Sequence, residues 1–179
     1  SISIAPGEIV GLAGPSGRGK TTLGRILAGF LLPEKGGVLL DGGPLREKGR
    51  APVQMLFQHP ELAVNPRWKA ARIISEAYRP SADRLDQFDI QTAWLKRYPC
   101  ELSGGQLARI CLVRALAPET RFLIADEITA MLDAVVQAHI WKQLLAYAQA
   151  NQIGILVISH NQSLLARLCH RIENDCFQR

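Results

Sequence analysis

Residues 14–21 read Gly-Pro-Ser-Gly-Arg-Gly-Lys-Thr and fit the spacing G-x-x-x-x-G-K-[ST] at every position, a pattern that restricts the surrounding fold more tightly than any other stretch of the chain. Before it, the apolar run Ile9-Val10-Gly11-Leu12 predicts a short buried strand. After it, Thr21 to Phe30 predicts a helix with Leu23, Ile26, Leu27 and Phe30 on one face. Strand, glycine-rich turn and helix in that order make an anion cradle. The glycines let backbone N–H groups turn inward with no Cβ in the way, and the helix N-terminus adds its positive dipole end. Lys20 is then placed to reach the β- and γ-phosphates of a nucleotide, and Thr21 to ligate Mg²⁺.

The remaining chain repeats the alternation of strand and helix. Ser1 to Ile4 alternates polar and apolar and, with the turn at Pro6-Gly7, predicts an antiparallel hairpin with the strand at Ile9. Val38-Leu39-Leu40 followed by Asp41-Gly42-Gly43 predicts a further small β element, and Val53 to Phe57 a strand that ends at Gln58. Between about 59 and 101, Pro60, Pro66, Pro80 and Pro99 punctuate helical stretches over Trp68 to Tyr78 and Asp86 to Arg97. Leu107 to Ala117 and Asp133 to Asn151 predict helices, Arg121 to Asp126 and Ile153 to Ser159 buried strands, and Ser163 to Cys169 a last helical segment. The fold class expected is α/β: a three-layer sandwich around a largely parallel sheet. In such sheets ligands sit beyond the carboxyl ends of the strands. The phosphate loop, Gln58, Asp126-Glu127 and His160 all follow predicted strands, so one rule assigns them to the same rim.

Composition narrows the class. At 47% hydrophobic and 21% charged, the 179 residues suit a soluble globular domain with one good core. No apolar run reaches the roughly 18 residues of a membrane span, and the N-terminus lacks the pattern of a signal peptide. The chain opens on Ser1 without an initiator Met, which leads us to expect a natural beginning further upstream. Cys100, Cys111, Cys169 and Cys176 are scattered with no C-x-x-C pair, as expected of reduced packing residues in a cytosolic protein. A net charge of +5 would permit nucleic-acid binding. The basic residues are diffuse and not interleaved with aromatics, which argues against it.

The chemistry resides in a few groups. Arg121 to Glu127 is an apolar run closed by paired carboxylates; Asp126 can hold Mg²⁺ and Glu127 can polarise an attacking water. Gln58 could touch both the metal and that water. His160 could donate a hydrogen bond to a γ-phosphate while touching Glu127. Ser103-Gly104-Gly105 opens a helix and so offers a second anion site, although Ser103 can also cap its own helix.

The phosphate loop, Gln58, Leu102-Ser103-Gly104-Gly105-Gln106, the Asp126-Glu127 strand and His160, in this order, resemble the nucleotide-binding subunit of ATP-binding cassette (ABC) transporters, over nearly the whole chain. The resemblance implies a P-loop NTPase with a RecA-like core, a small antiparallel β subdomain and a helical subdomain. It divides a single, N-terminally truncated nucleotide-binding domain into 1–58 (β subdomain and phosphate-loop part of the core), 59–102 (helical subdomain) and 103–179 (rest of the core). It implies a head-to-tail dimer in which ATP is bound by Gly14, Pro15, Ser16, Gly17, Arg18, Gly19, Lys20, Thr21 and Thr22 of one subunit and by Ser103, Gly104, Gly105 and Gln106 of the other. Thr21, Gln58 and Asp126 would form the magnesium shell, Glu127 would be the general base, and His160 a switch residue. Asp133 would contact the partner's phosphate loop. Transmembrane permease subunits and a substrate-binding protein complete the implied assembly, at the cytoplasmic face of the inner membrane.

Gln58-His59-Pro60 through Ala63-Val64-Asn65-Pro66-Arg67, with Leu107 after the signature Gln106, looks like the peptide/nickel importer branch. The expected function is therefore an ATPase powering uptake of nickel, a metal chelate or di- or oligopeptides. The alternative is a non-transport ATPase of the same superfamily acting on DNA or ribosomes. The span from Gln58 to Ser103 is too short for the coiled-coil insert such proteins carry. Three departures stand out: Ile128 where Pro is usual, Asn161 where Asp is usual after the histidine, and no residue for the adenine-stacking aromatic, expected upstream of Ser1.

Overall fold

Every long apolar run predicted as a strand lies in one parallel sheet, and the order of its strands sets where the polar residues emerge. The computed structural model describes residues 1–15, 17–45 and 51–174. In chain order its elements are β1 (Ile9–Leu12), α1 (Lys20–Leu27), β2 (Leu39–Leu40), β3 (Gly43–Pro44), β4 (Val53–Leu56), α2 (Ala70–Ser75), α3 (Ala82–Gln87), α4 (Gly104–Ala115), β5 (Phe122–Asp126), α5 (Ala134–Ala150), β6 (Gly154–Ile158), α6 (Gln162–Leu168) and β7 (Arg171–Glu173). They form two compact units, the first comprising Ser1–Met55, Glu119–Glu127 and Asn151–Arg179, the second Leu56–Pro118 and Ile128–Ala150.

The first unit is built on a five-stranded sheet in the order β4-β5-β6-β1-β7. Its central pairs are parallel, with Leu12 beside Ile158 and Asp126 beside Ile158. Strands buried on both faces need not alternate in sequence, and all five residues of β6 are buried. The two-residue period separates the faces. Ile124 and Ile158 flank Gly24 of α1 on one face, whereas Gly11, of opposite parity, meets Leu165 and Cys169 of and after α6 on the other. One helix on each face of the sheet gives the three layers. Burial pushes the thiols of Cys111 and Cys169 up to about 11, as suits inert packing groups. Cys176 lies outside the described residues.

Gly154 marks the tightest spot in this unit. A Cβ there would stand 2.6 Å from the Phe122 ring and 2.8 Å from the carbonyl of Ala5. The backbone contact cannot be relieved by a rotamer change, so Gly154→Ala is expected to destabilise by about 1–3 kcal/mol. A fall of several degrees in melting temperature, with an unchanged far-ultraviolet spectrum, would be the readout.

Three sequence expectations are corrected, and one strand is added. Ser1–Ile4 forms no strand: β1 already has β6 on one side and β7 on the other, so no edge is left for a hairpin. The edge partner β7 was not foreseen, being only Arg-Ile-Glu. Phe30 lies beyond α1 and is 61% exposed, so the helix does not bury it with Leu27. Finally, Asp86 to Arg97 is not one helix. α3 ends at Gln87, Asp89 adopts φ 51°, and only a 3-10 turn at Trp94–Lys96 follows. The break sends both Phe88 and Ile90 into the core, which an unbroken helix could not do at a spacing of two.

β2 and β3 form a separate two-stranded antiparallel hairpin. Its turn residues Asp41 and Gly42 both have positive φ, the twist that suits a tight hairpin. In the second unit, α2 packs on α4. Tyr78 OH donates to the carbonyl of Val113 at 3.0 Å and Arg84 Nη1 to that of Leu116 at 3.1 Å, satisfying the last carbonyls of α4.

Candidate functional site

Five of the candidate residues converge in the first unit, at the carboxyl ends of β1, β5 and β6. The turn after β1 has Gly17 at φ 80° and Gly19 at φ 82°, a left-handed backbone that a Cβ would strain, and Gly19 precedes α1 directly. Lys20, the first helical residue, is 7% exposed. Its Nζ donates to the carbonyls of Gly14 at 2.7 Å and Pro15 at 2.8 Å, so the ammonium bridges the mouth of the loop. Arg18, Thr21 and Thr22 are exposed beside it, or at the start of α1. Ser16 lies outside the described residues.

Asp126 is the last residue of β5 and is 5% exposed. Burial pushes its carboxyl above the usual carboxylate range, and neighbouring Glu127 adds to this; the Thr21 hydroxyl bonded to it, with Lys20 and Arg25, pulls the other way. A buried carboxylate bonded to a hydroxyl, near a phosphate cradle, is an all-oxygen donor set. Such a set fits Mg²⁺, a hard cation that takes one or two protein oxygens and completes its shell with phosphate and water.

Glu127 turns sharply as the strand ends. Its φ is 50°, a conformation costing a non-glycine residue about 1–2 kcal/mol, and its N–H donates to the carbonyl of Ile158 at 3.0 Å. The turn brings its carboxylate to His160, whose Nδ1 lies 2.8 Å from Oε1. An ionised carboxylate only accepts, so Nδ1 carries the hydrogen, leaving Nε2 outside that contact. Glu127 is 16% exposed and His160 62%. A shielded carboxylate held by an open imidazole can take a proton from a water at the rim. Asn161 caps α6, its Oδ1 accepting from the N–H of Leu164 at 3.0 Å. Asn serves in that place as well as Asp, so the departure at this position leaves the loop at His160 anchored.

The other candidates belong to the second unit. Gln58 stands two residues beyond β4 and is half-buried. Ser103 caps α4, its Oγ accepting from the N–H of Gln106 at 3.3 Å while Gln106 Oε1 accepts from the N–H of Ser103 at 3.0 Å. This reciprocal box fixes the first turn at Gly104-Gly105. Asp133 is exposed and caps α5, its Oδ1 accepting from the N–H groups of Val135 and Val136, each at 3.0 Å. Asn65-Pro66-Arg67 forms an exposed turn closed by the Arg67 N–H donating to Asn65 Oδ1 at 2.9 Å. Ile128 lines a small apolar pocket with Phe57, Cys111, Leu112 and Ile140.

Two groups behind α4 were missed in the sequence. Buried Arg109 donates through Nη1 to the Phe88 carbonyl, Asp89 Oδ2 and Gln143 Oε1. Asp89 Oδ2 also faces Nε2 of His139 at 2.6 Å. Thr129, 2% exposed, accepts from Gln137 Nε2 at 2.7 Å and Trp141 Nε1 at 3.0 Å. The Gln137/Trp141 spacing of four on one helix was legible, but the acceptor they share was not.

Comparison with known proteins gives concordant results. The family profile described as "ABC transporter" matches residues 1–130. A nickel import ATP-binding protein, NikE, of Escherichia coli O6:K15:H31 is 37% identical over 191 aligned positions, covering 96% of this chain and 71% of that protein. NikE of Escherichia coli K12 gives the same identity and coverage. Among solved structures, the ATP-binding cassette MJ0796 in a post-hydrolysis dimer with ADP and Pi superposes with a TM-score of 0.79 at 24% identity, covering 96% of this chain and 82% of that one. CbiO1 of Clostridium perfringens, described as part of the ABC transporter complex CbiONQ, gives 0.78 at 24%, covering 96% and 74%. These structural likenesses establish the fold.

Proposed function

This chain belongs to the ABC transporter family, and from that premise we propose that it is the ATP-hydrolysing subunit of an importer for nickel, a metal chelate or short peptides. The observation that carries the catalytic part is the convergence of Lys20, Thr21, Asp126, Glu127 and His160 at one rim, with Glu127 turned onto His160 at 2.8 Å. In this reading Lys20 leaves the carbonyls of Gly14 and Pro15 for the β- and γ-phosphates, and loop N–H groups surround them. Thr21 and Asp126 would hold Mg²⁺, with Gln58 as the further ligand that the family resemblance implies, and the ion would supply positive charge against the phosphates. Glu127 takes a proton from water as its oxygen bonds to the γ-phosphorus and the bond to ADP breaks. His160 orients Glu127 and offers Nε2 to the γ-phosphate.

Ser103 to Gln106 and Asp133 serve the ATP of a second cassette, which makes each chain half of two sites. The domain division expected from sequence, at 58 and 102, is part of the same proposal. No helix among the described residues is long and apolar enough to cross a membrane. In this reading attachment to the cytoplasmic face of the inner membrane runs through permease subunits, and delivery through a substrate-binding protein. The nickel choice draws on the relative named for it and on the Asn65-Pro66-Arg67 turn.

Reconstitution in vesicles with the permease subunits of such an importer tests this directly. ATP-dependent uptake of labelled nickel or dipeptide is expected, with phosphate release rising in parallel. Phosphate release with neither cargo moving, or salt-sensitive binding to duplex DNA instead, would overturn the importer reading.

A further inference from the structure

The loop between Ile128 and Asp133 is pinned at both ends to α5, and its two pins differ in kind. At the far end Asp133 caps the helix locally, through the N–H groups of Val135 and Val136. At the near end the hydroxyl of Thr129 accepts two N–H groups from the helix flank, Gln137 Nε2 and Trp141 Nε1. Residues four apart on a helix share a face, so the two donors converge on one oxygen. Trp141 is 3% exposed and Thr129 2%, and a buried N–H that loses its acceptor is costly. Between the pins, the N–H of Leu132 donates to the Thr129 carbonyl at 3.1 Å, and Met131 is 68% exposed.

The pinned loop also meets the start of α4. A Cβ on Gly105 would stand 3.1 Å from Cγ1 of Val136, and one on Gly104 3.7 Å from Cδ2 of Leu132. Ser103–Gln106 and Asp133 thus form a single surface, with the absence of side chains at 104 and 105 allowing the approach. We propose that Thr129 is a positioning residue that sets this surface: its hydroxyl holds the 129–133 loop on α5, and through Leu132 and Val136 fixes the start of α4 relative to Asp133. This rests on the reading that the surface receives the ATP of a second copy of the chain.

Thr129→Val keeps the shape and removes the acceptor; Thr129→Ser keeps the acceptor. ATP-dependent self-association, measured by sedimentation in a Glu127→Gln background, is expected to weaken about tenfold or more for Val and to stay within about twofold for Ser. ATP affinity at dilutions where the chain is monomeric should not change for either. Amide hydrogen exchange, which does not depend on association, should accelerate at residues 132–137 for Val alone. Should Thr129→Val not fold, Trp141→Phe, which removes one donor, is expected to give a smaller acceleration over the same residues. Val exchange and association equal to the parent, or Ser behaving like Val, would overturn the role of Thr129. A parent that fails to associate with ATP, while the exchange difference stands, would overturn the two-copy reading and leave the pin intact.

Discussion

Glu127→Gln is expected to cut ATP turnover about 10²–10⁴-fold, the usual contribution of a positioned general base, while ATP affinity changes little. The amide keeps the size of the carboxylate and can still meet Nδ1 of His160, now 2.8 Å from Oε1. What it loses is the ability to take a proton from water. The distinction between affinity and turnover is what the geometry specifies, because Glu127 sits after β5 and not in the turn that holds Lys20. Phosphate-release and equilibrium-binding measurements on the same preparation check it. A variant with parental turnover would remove Glu127 from the role of base.

Lys20→Met should act on the other quantity first. The ammonium of Lys20, 7% exposed, donates to two carbonyls of the loop. A charge-assisted hydrogen bond contributes roughly 1.5–3 kcal/mol, so losing one such bond to a phosphate should weaken ATP binding by about 10–150-fold. The loop carbonyls of Gly14 and Pro15 lose their donor as well, so the empty loop should also be less ordered. Titration with a fluorescent ATP analogue, alongside hydrogen exchange over residues 17–22, separates the two effects. Unchanged affinity would mean that the phosphates do not enter this turn.

The legibility of the chain followed the range of the interactions involved. The phosphate loop is local: its glycines, lysine and threonine are fixed by a few adjacent φ angles, and the pattern was readable to the residue. Strands β5 and β6 were readable because both faces are buried and their sequence is apolar, in β5 as far as Asp126. Polar residues just beyond them marked the rim for the same reason. The N-terminal hairpin misled because alternation specifies a strand without naming its partner, and β7 occupies the edge the hairpin would need. The helix expected over Asp86 to Arg97 failed at Asp89, where burial of Phe88 and Ile90 outweighed helical propensity. The Thr129 pin was invisible because its donors lie eight and twelve residues away in sequence and meet only once α5 is formed. Asn161 could have been anticipated as a cap, since it directly precedes the helix at Gln162.

In the proposed reading each chain carries, in its first unit, a phosphate loop with its base and, in its second, a capped Ser103 and Asp133 surface that receives another copy's nucleotide. Specific ATPase activity as a function of protein concentration tests that most directly. Turnover per chain is expected to rise with concentration, vanish at high dilution, and return when ATP-bound dimer is restored by concentrating the sample. Turnover per chain that stays constant down to dilutions where sedimentation shows only monomer would contradict it.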